Sequence, residues 1–288
     1  MSGTADVTGP AAGADDEHVS VPPSRTAVVT GAGRGIGREI ALGLARHGLA
    51  VGLLGRSADT LDEVAEQCRA MGVDVAVAAA DVRDADAVTT AVDALSDVLG
   101  PIDLVVNNAG RMDSVETGFA DAPIDDVLAV VDVNLLGVMR VTHAVLASMR
   151  AAGRGRIVNV NSGMAFRRSS VNTGYGVSKA ALARFTDLLA HQVAGDGIVV
   201  LDVSPGLVRT DMTQEMPMWA AMDEVPWGDP ADMVRAVLAV ADGRLDRASG
   251  RFVHAAADDI DALADRVAAD RDLRTSGLRT FGPDDPLG

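Results

Sequence analysis

From residue 26 to residue 255 the chain alternates short, continuously apolar runs with longer stretches whose apolar residues return at helical spacing. The runs are TAVVT (26–30), AVGLL (50–54), VDVAVAA (73–79), IDLVV (102–106), RIVNVN (156–161) and GIVVLDV (197–203). A last one, RFVHA (251–255), follows a helix at about 230–241. A strand apolar on both faces needs cover on both, which a parallel sheet between two helical layers provides. Strands and helices in regular succession therefore predict an α/β fold with a doubly wound parallel sheet and right-handed crossovers. Neither a repeat nor a linker interrupts 25–258, so this span reads as a single domain. Residues 1–24, rich in small residues, Asp and Pro, read as a disordered tail. Residues 259–288 read as an acidic helix followed by a loose Gly/Pro end.

The first run opens into TAVVTGAGRGIGREIALGLARHG, a strand, a glycine-rich turn and a helix. Its glycines miss the strict G-x-G-x-x-G spacing, because position 36 is Ile, and fit G-x-x-x-G-x-G through Gly31, Gly35 and Gly37. Bare backbone amides at the start of a helix attract a pyrophosphate. A tight strand–helix turn without a ligand has the same look. The choice of dinucleotide rests on the end of the second run, AVGLLGRS. A carboxylate there accepts from the ribose 2′-hydroxyl of NAD, but this chain has Gly55 and Arg56. Arg56, with Arg34 from the glycine loop, can fork onto the 2′-phosphate of NADP. Asp59 is a possible acid of the NAD type, but Ser57-Ala58-Asp59 reads as the start of a helix that it caps. NADP(H) is therefore expected over NAD(H).

Among 25 Lys and Arg residues only Lys179 is Lys, and Tyr175 is the one Tyr. They stand four apart in YGVSKAAL, on one face of a helix. A snorkelling Lys or a half-buried Tyr explains either residue alone, but not the two rare types together. For a Tyr to exchange protons near pH 7, its pKa must fall by about three units, roughly 4 kcal/mol. A positive charge at about 4 Å in an effective dielectric of 20 supplies about that much. An Arg carries the charge but cannot release a proton for onward relay; a Lys can.

Seven motifs follow in order: TGAGRGIG (30–37), DV (81–82), NNAG (107–110), VNLLG (133–137), NSG (161–163), YGVSK (175–179) and PGLVRT (205–210). Together they resemble the short-chain dehydrogenase/reductase family in its single-domain, Rossmann-type form, over 25–258. The resemblance implies that Tyr175 is the acid/base that protonates a carbonyl oxygen or deprotonates an alcohol. Lys179 lowers its pKa and bonds the nicotinamide ribose, and Ser162 polarises the substrate oxygen. Asn134 holds a water that passes protons to Lys179. Gly31, Arg34, Gly35, Ile36 and Gly37 form the phosphate loop, and Asp81 and Val82 flank the adenine. Asn108, Ala109 and Gly110 line the cleft. Pro205, Gly206, Val208 and Thr210 border the carboxamide or phosphate end of the cofactor. Each motif also has a plainer structural use: Asn134 can satisfy buried backbone groups, NNAG can be a strand-end turn, and Ser162 an N-cap or turn residue. Two positions depart from the family's pattern: Asn161, where another Ser is common, and Arg111 directly after NNAG.

The segment DMTQEMPMWAAMDEVPWGD holds both Trp residues and Met212, Met216, Met218 and Met222. In the resembled family this segment is a lid over the substrate. Met212, Met216 and Trp219 then make a polarizable, apolar wall suited to a bulky carbonyl compound. Packing onto the core or a neighbouring subunit is the other use. Arg167 and Arg168 can receive an acidic group at the outer end of such a substrate. The helices around VNLLGVMRVTHAVLASM and YGVSKAALARFTDLLAHQV carry more apolar surface than one covered face needs. In the resembled family they build a dimer interface, so a homo-oligomer, a tetramer in particular, is expected.

A net charge of −16 and pI of about 4.6 argue against nucleic-acid or membrane-surface partners. Cys68 stands alone, which excludes an internal disulfide and favours a reducing compartment. The start lacks a basic, apolar signal peptide, and no stretch looks long and charge-free enough to span a bilayer. A cytoplasmic enzyme without a metal site is expected: an NADP(H)-dependent oxidoreductase interconverting a ketone and a secondary alcohol. The alternatives are an NAD-dependent alcohol dehydrogenase of the same fold and a dinucleotide-binding sensor or scaffold without turnover.

Overall fold

The computed structural model describes residues 21–213, 225, 227–270 and 273–274. Each apolar run is a strand: β1 (Thr26–Thr30), β2 (Ala50–Gly55), β3 (Val75–Ala79), β4 (Leu104–Asn107), β5 (Gly155–Val160), β6 (Ile198–Ser204) and β7 (Phe252–His254). The helices are α1 (Gly35–Arg46), α2 (Ala58–Arg69), α3 (Ala85–Leu99), α4 (Ile124–Val131), α5 (Val138–Ala152), α6 (Thr173–Gln192), α7 (Pro230–Ala241) and α8 (Ile260–Ala269). The strands form one parallel sheet in the order β3-β2-β1-β4-β5-β6-β7. This is the doubly wound arrangement that the alternation predicts.

Continuous apolar runs have their physical reason in the two cores. Along β6, Val199, Leu201 and Val203 pack with α1 and α7 residues such as Leu44 and Val237. Ile198 and Val200 point the other way, into a core shared with Leu189 and Ala190 of α6. Asp202 falls on this second side and is fully buried. Three helices begin on a capping Asp: the side chains of Asp84, Asp229 and Asp259 accept from first-turn amides of α3, α7 and α8. The expected cap of α2 is different. Ser57 holds the N-cap position without a side-chain bond, and Asp59 lies inside the first turn, where its charge suits the helix dipole.

Helices α4 and α5 are joined by a π turn, Asp132–Gly137, into one helix over Ile124–Ala152. By length and composition it could cross a membrane, a correction to the expectation that no stretch would. Here Val141, Val145 and Met149 are buried in the core beside α3, while Ile124, Leu128, Leu136 and Met139 are exposed. It is a core helix with one uncovered apolar face.

The lower boundary of the packed region lies earlier than residue 25. Residues 21–24, assigned above to a tail, are tied down by Arg156 of β5, which is 1% exposed. All five guanidinium donors of Arg156 are used. Two go to the Asp246 carboxylate at 2.8 and 2.7 Å, and the others to the carbonyls of Val21 (2.8 Å) and Pro22 (2.7 Å) and to Ser24 Oγ (3.2 Å). At the upper end α8 belongs to the fold as well, with Leu263 and Val267 in the first core. A buried ion pair tolerates the loss of one partner poorly, because the other charge stays enclosed. Asp246→Ala is therefore expected to lower unfolding free energy by about 3–5 kcal/mol, read from urea denaturation. A loss below about 1 kcal/mol, the scale of an exposed pair, would contradict it.

Candidate active site

The strand order reverses between β1 and β4, which opens a crevice at the carboxyl ends of the central strands. Thr30, the last residue of β1, holds the crevice together. Its hydroxyl accepts from the amides of Asn108 (3.0 Å) and Ala109 (2.9 Å). The Asn108 side chain donates back to the carbonyls of Thr30 (2.9 Å) and Gly31 (3.3 Å). NNAG is thus a strand-end turn and also a clamp on the glycine loop.

Within that loop two glycines do different things. A Cβ at Gly37 would stand 2.3 Å from the Gly31 carbonyl, so this glycine permits close packing of helix on turn. Gly35, at φ +54, would meet nothing nearer than the Thr210 methyl at 3.7 Å, so its backbone stays open to a ligand. Arg34 makes no side-chain cap bond to α1, and its first turn holds no acid. An open, uncapped helix start fits a pyrophosphate. Ile36 is half-buried and packs on the first core.

The PGLVRT loop folds over this turn. Thr210 lies beside Gly35, and Arg34 pairs with Asp211 at 3.2 Å. Gly206 takes φ +76 after Pro205, and its amide donates to Ser204 Oγ at 3.3 Å. Val208 bridges to Gly228, whose amide donates to the Leu207 carbonyl at 2.7 Å. That bridge closes the base of the Met- and Trp-rich segment. Met212 is exposed near its start, whereas Met216 and Trp219 lie outside the described residues.

At the other end, the amide of Ala80 donates to the Gly55 carbonyl at 2.8 Å and brings the tips of β2 and β3 together. Arg83 forks onto Asp81 and, with help from the nearby charge of Arg56, holds its carboxyl below the usual range. Val82 is buried against Gly137 of the π turn.

The candidate catalytic groups stand where β5 faces α6. Ser162 follows β5; its Oγ accepts from the Met164 amide at 3.2 Å, and its side chain stands on the Tyr175 side, where it favours the ionised phenol. The turn-cap use of this serine is the one its hydrogen bond shows. Lys179 is buried, with Nζ 5.6 Å from the Tyr175 ring centroid, and donates to the Val160 carbonyl at 2.7 Å. Burial drives Lys179 down to about 8, opposed by the charge of Asp202. The effect on Tyr175 is not the one expected from the spacing. Although part of the residue faces the cleft, burial pushes its hydroxyl above the ordinary value, and Ser162, not Lys179, pulls it back. The ammonium is turned to a backbone carbonyl, so the helical spacing alone does not deliver the charge to the phenol.

Asn134, in the π turn and fully buried, accepts from the Arg111 amide (2.8 Å) and donates to the Arg111 carbonyl (2.9 Å) and Ser178 Oγ (3.1 Å). It joins the loop after β4 to α6. Arg111 itself pairs with Asp126, which disposes of the extra charge after NNAG. Gly110 lies beside the Asn134 carboxamide.

Two site residues were missed in the sequence. Asp113 accepts from the amides of Gly174 (3.0 Å) and Tyr175 (2.8 Å), capping α6 from a distant loop and holding Tyr175 in place. No local spacing announces such a cap. Asp202 gave a signal, one acid inside an apolar run, but its partners come from other elements.

A sequence model of short chain dehydrogenases matches residues 25–221. The chain belongs to this family. It is 37% identical over 208 residues to the 3-oxoacyl-(acyl-carrier-protein) reductase FabG of Pseudomonas aeruginosa, covering 71% of this chain and 83% of that one. The 3-oxoacyl-(acyl-carrier protein) reductase of Brucella melitensis, solved with NAD, superposes with a TM-score of 0.74 at 31% identity, over 84% and 97% of the two chains. A variant of the actinorhodin polyketide ketoreductase, solved with NADPH, gives a TM-score of 0.75 at 31% identity, over 80% and 95%. The chain is thus a short-chain oxidoreductase with a nucleotide-binding Rossmann fold.

Proposed function

We propose that the protein is an NADP(H)-dependent reductase of bulky, mostly apolar ketones, with Tyr175 as the group that gives up the proton. The observation that carries this reading is the meeting of Ser162, at the end of β5, with Tyr175 and Lys179 of α6, beside a crevice whose other end is an open, uncapped helix start. When bound there, the nicotinamide supplies the hydride that adds to the carbonyl carbon. Ser162 donates to the carbonyl oxygen and holds it next to Tyr175. As negative charge builds on that oxygen, the Tyr175 hydroxyl transfers its proton and the alcohol results. A phenol held protonated by burial begins the step in the right state. Lys179 stands behind it, with Nζ 5.6 Å from the ring centroid, and Asp113 fixes the helix turn that carries it. Asn134 keeps the loop after β4 seated on α6; in this reading it also holds a relay water beside Lys179.

NADP is preferred on the grounds that β2 ends in Gly55 and Arg56 with no carboxylate, and that Arg34 projects from the glycine loop. The relatives named for 3-oxoacyl and polyketide substrates support a long apolar ketone, as does exposed Phe166 just after Ser162. The uncovered apolar face formed by Leu128, Leu136, Met139, Val177 and Leu188 favours a homo-oligomer.

A panel of ketones of rising apolar bulk, assayed with NADPH and NADH, tests the activity; kcat/KM is expected to rise with bulk. On the best substrate Tyr175→Phe should lower kcat by about a hundred- to ten-thousand-fold, with NADPH binding retained. Retained turnover would remove Tyr175 from the chemistry. Arg56→Ala should weaken NADPH by about ten- to a hundredfold, the loss of a charge-assisted bond, and leave NADH unaffected. Equal losses for both cofactors would count against the 2′-phosphate contact. Light scattering at micromolar concentration is expected to give the mass of four chains, and a monomer would refute the assembly.

A further inference from the structure

A line of buried polar side chains runs behind the site and ends on a carboxylate. Asn107 donates to Thr142 Oγ1 (3.2 Å) and Asn159 Oδ1 (2.9 Å), Asn159 donates to Thr186 Oγ1 (2.8 Å), and Thr186 donates to Asp202 Oδ1 (2.7 Å). From the other side, Asn161 Nδ2 donates to Asp202 Oδ2 (2.9 Å) and to the Lys179 carbonyl (3.2 Å). Its Oδ1 accepts from the Ser162 amide at 2.8 Å. All these side chains apart from Ser162 are buried.

The direction of the bonds matters. Asn159 already donates to Thr186, and the Ser162 amide fixes which way the Asn161 carboxamide points. Both Thr186 and Asn161 therefore send their hydrogens toward Asp202. Two donors suit an ionised carboxylate. A fully enclosed anion also needs a counter-charge, and Lys179, buried beside it and joined to it through the Asn161 carboxamide, is the cation whose field reaches it.

We propose that Asp202 is the buried counter-ion of Lys179, a positioning residue that keeps the lysine cationic and, through Asn161, fixes Lys179 and Ser162 relative to each other. The catalytic meaning of this pair rests on the reductase reading above. Asn161, a departure from the family's pattern, then has a use: its carboxamide touches Asp202, Lys179 and Ser162 together. The electrostatics agree. Burial raises Asp202 against the pull of Thr186, Asn161 and Lys179, leaving it at about 7. Asp202 in turn raises Lys179, which burial alone would depress further than about 8.

Of the other titratable groups on the elements around Asp202, Tyr175 shares α6 with Lys179; Arg184 and Asp187 of α6 pair with each other, His191 is exposed, and Arg156 of β5 is taken by Asp246. Arg251, just before β7, lends its carbonyl to the Asp202 amide at 3.1 Å, and His254 of β7 pairs with Ser204. On β5 the flanking groups are the neutral Asn159 and Asn161.

The chain has a single lysine, so protein carrying carbon-13 at lysine Cε gives one side-chain NMR signal that titrates with Lys179. In the cofactor-free wild type the midpoint is expected near 8. In Asp202→Asn it should fall by about one unit or more, since the ammonium loses its anion. Thr186→Val, which removes one donor from Asp202 and favours its neutral form, should move the midpoint the same way by less. It decides the matter if Asp202→Asn does not fold. An unchanged midpoint in the folded variant overturns the assignment. This titration needs no substrate, so it is independent of whether the wild type reduces any ketone. With a substrate in hand, a cationic lysine means that activity is lost as pH rises through its pKa. The alkaline fall of kcat should therefore move to lower pH in Asp202→Asn. A uniformly reduced kcat with an unmoved profile would mark Asp202 as merely structural and also overturn the proposal.

Discussion

The crossover leaving β1 and the one leaving β4 travel to opposite faces of the sheet, and Thr30 ties the two strand ends together across the resulting gap. Its hydroxyl takes the amides of Asn108 and Ala109, and Asn108 answers on the carbonyls of Thr30 and Gly31. Gly37 can lie against the Gly31 carbonyl only because it carries no side chain. The open amino end of α1, the placing of Thr210 over Gly35 and the seating of the loop after NNAG on Asn134 all follow from that closure. A crevice of this kind is a property of strand order first and of residue choice second.

Polar atoms inside an apolar core are costly unless every one is partnered. This chain accepts the cost along one path, from Asn107 through Asn159 and Thr186 to Asp202, and covers nearly all of it with mutual hydrogen bonds. The path crosses three neighbouring strands and α6, so it registers β4, β5 and β6 against the helix that carries Tyr175 and Lys179. Apolar residues would pack there without orientation. Directed bonds give each side chain one setting, which is what a site of fixed geometry requires.

The alternation of apolar runs made the architecture legible: TAVVT is β1 to the residue, and the other strands differ from the expected bounds by only a residue or two. The site was legible where chemistry is local. Tyr175 and Lys179 share a helix face because four residues is about one turn, and the glycine turn precedes a helix as its spacing requires. What stayed hidden depends on direction or on distant partners. Spacing put Lys179 on the right face but could not tell that its ammonium would turn to Val160, so the sign of the shift on Tyr175 came out reversed. Asp113 caps a helix that begins some sixty residues later, and Arg156 anchors residues that look like a tail.

That anchor lies at one particular edge of the sheet. Arg156 is near the start of β5, and Val21, Pro22 and Ser24 are drawn to it there, while Ser162 follows the far end of the same strand. A strand of this length is roughly 20 Å long. Val21 therefore stands at the floor of the domain, on the side away from the crevice. A support, a label or a second protein coupled at that point leaves the mouth of the crevice free, and chains immobilised this way present their openings outward.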